Sequence, residues 1–186
     1  ADELISIIPD MKRKTIDEFV KKAQELDHPL LTKKVNPQAL VRAGRDESGN
    51  GVIVSREDIA GMKEIRMKKG DSLCMDFGDH YVGHVTLKLA SAGSPQDAPA
   101  YLRLKFAEIP NELLDDSSTY EGWISKGWIQ EEYIHIDVLP CELKLPRRYA
   151  FRYLEVLAID TSQKFQVVVE DASLTAESAV ELESVA

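Results

Sequence analysis

The stretch CMDFGDHYVGHVTLKL, Cys74 to Leu89, sets an aspartate, an aromatic residue and a glycine ahead of polar residues, a second glycine and then strict alternation. Val85, Leu87 and Leu89 alternate with Thr86 and Lys88, the period of two that a half-buried strand requires, because successive side chains point to opposite faces. Gly78 and Gly83 bound the segment before it as a turn. The same period returns downstream. Leu102, Leu104 and Phe106 alternate with Arg103 and Lys105; Tyr133, His135 and Asp137 with Ile134, Ile136 and Val138; Tyr153, Glu155 and Leu157 with Leu154, Val156 and Ala158. KFQVVVEDASLTA follows as a further strand. Several short alternating strands predict antiparallel sheets packed as a β-sandwich of the jelly-roll type.

One helix stands out. Residues 15–27, TIDEFVKKAQELD, place Thr15 and Glu18 at capping-box spacing and Ile16, Phe19, Val20, Ala23 and Leu26 on one face. Residues 28–51 contain Pro29 and Pro37 and then a glycine-rich acidic tip, which predicts an extended lead-in and a turn. REDIAGMKEIRMKKGDS mixes the helix and strand periods, so a short helix and then a strand are expected there. ASAGSPQDAP, between two alternating runs, reads as a hairpin loop or a disordered tip. The expected fold class is therefore all-β with one short N-terminal amphipathic helix. The expected organisation is an extension with helix and linker over 1–51, the sandwich over 52–175, and an acidic linker to a neighbour over 176–186.

A length of 186 residues accommodates one domain with a substantial core or a domain plus an extension. Lys and Arg number 23 against 32 Asp and Glu, a net charge of −9, so no basic surface is available for a nucleic-acid backbone. No apolar run approaches the ~20 residues that a bilayer-spanning helix needs. Cys74 and Cys141 lack the paired spacing of a zinc knuckle. The chain opens on Ala1 without a basic-then-apolar leader, which fits either removal of an export signal or excision from a longer protein. Periplasmic or secreted and cytoplasmic locations are both compatible with that beginning.

Three groups of residues invite a chemical reading. Asp76, Asp79, His80 and His84 gather two acids and two histidines, but the four-residue spacing of the histidines brings them together only on a helix. In a glycine-bounded turn an Asp ordinarily bonds its own backbone, so no metal is expected. A carboxylate pair for glycoside hydrolysis needs two acids ~5–10 Å apart across a cleft. Asp115 with Asp116 and Glu131 with Glu132 are mere neighbours, and Glu108, at the end of YLRLKFAEIP, reads as a buried carboxylate tied to a corner amide or to an arginine such as Arg152. No serine elbow, activated cysteine or phosphate-cradling loop is present, and nothing calls for a cofactor. The third group is STYEGWISKGWIQEEY, where Tyr120, Trp123 and Trp128 sit among glycines and acids. Flat indoles beside carboxylates suit sugar rings; a tryptophan in a long loop also serves to pin that loop to its own domain or to a neighbour. Either way the loop belongs at an interface.

MDFGDHYVGHVTLKL, LRLKFAEIP, WIQEEYIHIDVLP and LPRRYAFRYLEVLAID follow in the order of the β-sandwich domain that precedes the catalytic domain in bacterial α-L-rhamnosidases and related proteins of glycoside hydrolase family 78, which the chain resembles from Gly70 to Ala172. Asp76, Phe77, Gly78, Gly83, Glu108, Phe151, Arg152 and Tyr153 carry the match. The resemblance implies that hydrolysis resides in a C-terminal barrel of paired helices absent from these 186 residues. It implies that this chain is the non-catalytic accessory sandwich, docking on and supporting that (α/α) barrel of the same parent chain in carbohydrate degradation. On that reading Asp76, Phe77, Gly78, Gly83, Phe151, Arg152 and Tyr153 are structural. The alternative is an independent carbohydrate-binding module using Tyr120, Trp123, Trp128 and Glu108.

Overall fold

The computed structural model describes residues 10–27, 29–123, 126 and 129–180. It divides into two compact units, one of Thr32–Glu177 and one of Ala1–Leu31 with Ser178–Ala186. In the smaller unit the amphipathic stretch forms helix α1, Asp10–Glu25, which begins five residues ahead of Thr15. The proposed capping pair Thr15 and Glu18 therefore lies inside the helix.

Nine strands occur among the described residues: β1 Leu31–Val35, β2 Ala39–Arg45, β3 Gly51–Asp58, β4 Ser72–Gly93, β5 Ala100–Ala107, β6 Glu131–Ile136, β7 Cys141–Lys144, β8 Tyr149–Asp160 and β9 Phe165–Ser178. They form a single sheet whose registered pairs are all antiparallel. An all-β antiparallel fold with one N-terminal helix is what the alternation predicts. A jelly-roll winding is a finer description than the pairing order carries.

The sheet turns on β4. Its first residues, Ser72–Asp76, pair with β8, and Cys74–Asp76 pair on the other side with β2. Its last residues, from Gly83 to Gly93, pair with β9, and Thr86–Leu89 pair on the other side with β7. One strand thus belongs to two limbs, β3-β2-β4-β8-β5-β6 and β1-β9-β4-β7. Between them, Asp76 faces Tyr153 and Tyr81 faces Phe151, so five steps along β4 answer two along β8. The turn expected between Gly78 and Gly83 is therefore a large bulge within one long strand. Bulges bend and twist a strand, which is how one strand serves two limbs.

Both limbs feed one core. Leu73, Met75 and Phe77 from the first part of β4 join Val85, Leu87 and Leu89 from the second, with Leu102, Leu104, Leu154, Val156, Val167 and Leu174. A smaller cluster of Ala39, Val41, Cys74, Ala107 and Tyr153 lies on the opposite face of the first limb, with Leu113 of a short helix α2, Pro110–Leu114. That second cluster explains why 28–51 is no mere lead-in. Leu40 packs into the main core and Val41 into the smaller one, so β2 is covered on both faces and its apolar run shows no alternation. The compact unit accordingly starts at Thr32, within the segment assigned to the extension.

Two further differences concern connections. Residues 59–64 form a 3-10 turn, Ile59–Glu64, after β3, and the following Met67 makes only an isolated bridge to Val167. The linker between β4 and β5 is not a hairpin, because β5 pairs with β6 and β8, so the chain there passes from one limb to the other. At the C-terminus β9 runs to Ser178, inside the expected linker 176–186, of which 181–186 lie outside the described residues.

Gly83 occupies the place where the limbs meet, opposite Tyr149 of β8 and Ala176 of β9. A Cβ there would come within 2.0 Å of the Thr175 carbonyl oxygen, which is backbone and cannot rotate away. Gly83→Ala is expected to destabilise the domain by about 2–3 kcal/mol. Gly61→Ala, where a Cβ meets nothing within 4 Å, should shift the midpoint hardly at all. Urea unfolding followed by circular dichroism compares the two; equal midpoints would show that the close approach carries no such cost.

Candidate functional site

The corner from Asp76 to Gly78 is built around a carboxylate with no solvent exposure. Arg152 grips Asp76 with both arms, Nε donating to Oδ1 at 2.9 Å and Nη2 to Oδ2 at 3.0 Å. Arg56 of β3 donates to Oδ2 at 2.6 Å, and the Gly78 N–H donates to Oδ1 at 2.7 Å. Burial pushes the Asp76 carboxyl up, but the two guanidiniums and the Gly78 amide outweigh it and hold it below its ordinary range. Gly78 sits at φ +92°, and a Cβ there would meet the Gln38 side chain at 2.4 Å. The neighbouring residues complete the scaffold. Phe77 meets Phe151 edge to face at 5.2 Å, Phe106 contacts Phe151 at 5.1 Å, and the Arg152 guanidinium lies over the Tyr153 ring at 5.2 Å.

The two histidines part company. His80 Nε2 lies 3.5 Å from Glu108 Oε1, while His84 Nδ1 lies 3.0 Å from Glu177 Oε1, and the other oxygen of Glu177 meets Arg148 Nη1 at 3.3 Å. Asp79 accepts from the backbone N–H of His80, and no cluster of three or more metal-type ligands occurs among the described residues. His135 stacks on Tyr101 at 4.1 Å. Cys74 and Cys141 are both free, with burial pushing each thiol up. Glu108 differs from the expectation of a buried carboxylate tied to a corner amide or to an arginine such as Arg152: its side chain is 48% exposed, and Arg152 is occupied by Asp76. A strand end that terminates the sheet leaves Glu108 at the rim.

That rim borders a cleft of about 550 Å³, which residues within 112–120 and 129–131 form with the end of β5. Lys105, Glu108, Glu112, Tyr120, Gln130 and Glu131 are among its lining residues. The segment is held in place by local bonds. The Glu108 N–H donates to Glu112 Oε2 at 2.7 Å, the Ser118 N–H donates to Asp116 Oδ1 at 2.9 Å, and Gln130 exchanges two hydrogen bonds with the Ala150 backbone. Lys105 is nearly buried; its ammonium donates to the carbonyls of Leu113 and Asp115 and lies 3.8 Å from Glu131 Oε1. Asp116 is held below the usual carboxylate range by its bonds from Ser118, the opposite of what a general acid requires. Of the aromatic residues singled out in the sequence, Tyr120 lines the cleft, Trp123 is 95% exposed, and Trp128 lies outside the described residues. In the sequence Lys105 reads only as part of a strand alternation and Glu131 only as the neighbour of Glu132, because cross-strand register alone brings the two together.

The antiparallel β domain that this clamp braces is of a known class: residues 37–176 match the glycosyl hydrolase family 78 alpha-rhamnosidase N-terminal domain, and the chain belongs to that family. Among solved structures, a rhamnosidase from Klebsiella oxytoca with rhamnose bound is 38% identical, with a TM-score of 0.79 over 87% of this chain. The chain spans 32% of that rhamnosidase's length. A low affinity xylan binding module from Roseburia intestinalis is 12% identical, with a TM-score of 0.38 over 80% of this chain and 97% of its own, and carries no argument. No curated protein sequence matches the chain.

The Asp76 clamp sets an acid-side test. Asp76→Asn removes the charge that two guanidiniums share, and both arginines retain some access to water, so the expected loss of stability is about 2–3 kcal/mol. A carboxyl held low in the folded state contributes stability above its unfolded pKa, near the ordinary 3.8, and that contribution disappears as pH falls through the folded value. The unsubstituted chain should therefore lose stability steadily below about pH 4, and Asp76→Asn should show a shallower decline over the same range. Urea midpoints between pH 2 and 7 measure both, and parallel pH profiles would contradict the assignment.

Proposed function

We propose that this chain is the non-catalytic accessory β-sandwich of an α-L-rhamnosidase-like glycoside hydrolase and that it docks on and supports the catalytic barrel of the same parent chain. The observation that carries this reading is the match to 32% of a rhamnosidase's length, since an enzyme of that family has about two-thirds of its chain elsewhere. The chemistry of the described residues agrees. Asp76 is spent on Arg152 and Arg56, Glu131 lies against Lys105 and accepts from Ser117, and Asp116 caps a 3-10 turn with its carboxyl held low. An acid and base pair for glycoside cleavage requires one carboxyl held protonated near neutral pH and a partner across an open gap. Asp76 and Asp116 are held low, the opposite of what that acid needs. A sheet stapled across its bulge by a buried clamp is instead a stiff body, suited to carrying an interface.

The isolated chain is expected to release no product from aryl α-L-rhamnosides. Mixed with the separately produced remainder of its parent enzyme, it should co-elute with it in gel filtration and raise its melting temperature. Turnover by the chain alone that disappears in Glu108→Gln would assign catalysis to the β domain, and failure to associate would remove the docking role.

A further inference from the structure

Helix α1 carries an apolar stripe that stands open to water. Ile16, Phe19, Val20 and Leu26 are each exposed by half or more, Phe19 and Leu26 by about two-thirds (67% and 66%). With Ala23 they recur at steps of three and four residues, so on a helical turn they share one arc of about 120°. Asp17, Glu18, Lys21, Lys22, Gln24 and Glu25 fill the remainder of the circumference. A helix of 16 residues gains little from its own hydrogen bonds in water; burial of such a stripe is what keeps it formed. Single apolar residues on a surface need no explanation, but four large ones aligned on one short helix do.

We propose, resting on the docking role given above, that the α1 stripe seats in an apolar groove on the remainder of the parent enzyme. A helix laid in a groove is a recurring mode of recognition, with anchors at i, i+3, i+4 and i+7, the spacing of Ile16, Phe19, Val20 and Ala23. A second copy of the chain is disfavoured by size. The stripe from Ile16 to Leu26 is shorter than two heptads, whereas a helical seam between separate chains needs about three or four. A stable interface between free proteins takes ~20–30 residues a side, and this stripe supplies Ile16, Phe19, Val20, Ala23 and Leu26 alone. Within one chain the linkage already holds the two bodies together, so a stripe of this size suffices there. A membrane surface is disfavoured by charge. Over Asp10–Glu25 the basic Lys12, Arg13, Lys14, Lys21 and Lys22 are balanced by Asp10, Asp17, Glu18 and Glu25, with Asp27 following, where a membrane-lying helix carries Lys and Arg in excess. A body for the helix to meet is provided by the size of the relative: this chain spans 32% of the Klebsiella rhamnosidase, so most of such an enzyme lies outside it.

Hydrogen–deuterium exchange read by mass spectrometry, on the full-length parent enzyme and on the 186-residue chain, tests the assignment. The amides of residues 16–26 should exchange about tenfold or more slowly in the parent than in the shorter chain. Phe19→Ser in the parent should return them to the rate of the shorter chain; should that variant fail to accumulate, Leu26→Ser carries the same expectation. Protection that persists in the folded variant would overturn the assignment. Equal exchange at 16–26 in the two proteins, with protection gained elsewhere in 32–177, would overturn it and leave the docking role standing. Protection gained nowhere would remove both. Slow exchange at 16–26 already present in the 186-residue chain would overturn it as well, in favour of a second copy where dilution abolishes the protection and of the chain's own β domain where dilution does not.

Discussion

A carboxylate taken wholly out of water is expensive, by several kcal/mol even after the protein relaxes around it, and Asp76 is such a group. The structure meets that cost with partners drawn from three strands. Arg56 comes from β3, Arg152 from β8, and the Gly78 amide from the bulge of β4 itself. Each partner is in place only if its strand is in register. The clamp therefore ties the register of the first limb to the shape of the bulge, and the shape of the bulge decides where β4 leaves that limb for β9. Loss of the charge would leave two guanidiniums competing for water where the strands need to stay together.

Beneath the clamp lies its apolar counterpart. Phe151 and Leu154 of β8 both reach the main core, with Arg152 and Tyr153 between them, so the strict alternation of β8 breaks at this point. The break lets Arg152 point at Asp76 while Tyr153 stays in the smaller cluster on that face. Phe77 and Phe151, one from each bulged strand, then meet edge to face on the core side. Polar and apolar contacts thus close the same irregularity from opposite faces. Asp76, Phe77, Gly78, Gly83, Phe151, Arg152 and Tyr153 form one mechanical unit, and Gly83 is its exit, where only a residue without a side chain lets β9 approach.

Period-two alternation made β4, β5, β6 and β8 legible in the sequence because each has one face in the core and one face wetter or differently covered. Strand β2 escaped the same reasoning: with Leu40 in one cluster and Val41 in the other, its run reads as a short apolar patch between prolines and a turn. The two limbs of β4 were equally invisible, since a glycine-bounded polar stretch signals a turn and says nothing about whether the strand resumes in the same sheet. At the site, the aromatic loop and Glu108 drew attention through composition, and Tyr120 and Glu108 do border one cleft. Lys105 and Glu131 were unreadable because their relation is a matter of register between strands 26 residues apart in sequence, which no local pattern encodes.

The division of labour within the domain follows from where rigidity is placed. The clamp, the paired phenylalanines and Gly83 occupy the middle of the sheet, where strands are bonded on both sides and movement would disturb several registers at once. Among the described residues between Glu108 and Gln130, short-range caps, Gln130 against Ala150, and Lys105 reaching up from β5 to the Leu113 and Asp115 carbonyls supply the attachment to the sheet. A segment fixed at a few points over a stiff sheet can vary in sequence without disturbing the frame. Lys105 with Glu131 is the point at which the frame and that stretch meet. The Asp76 corner and the cleft over the end of β5 are for this reason different places on the same sheet.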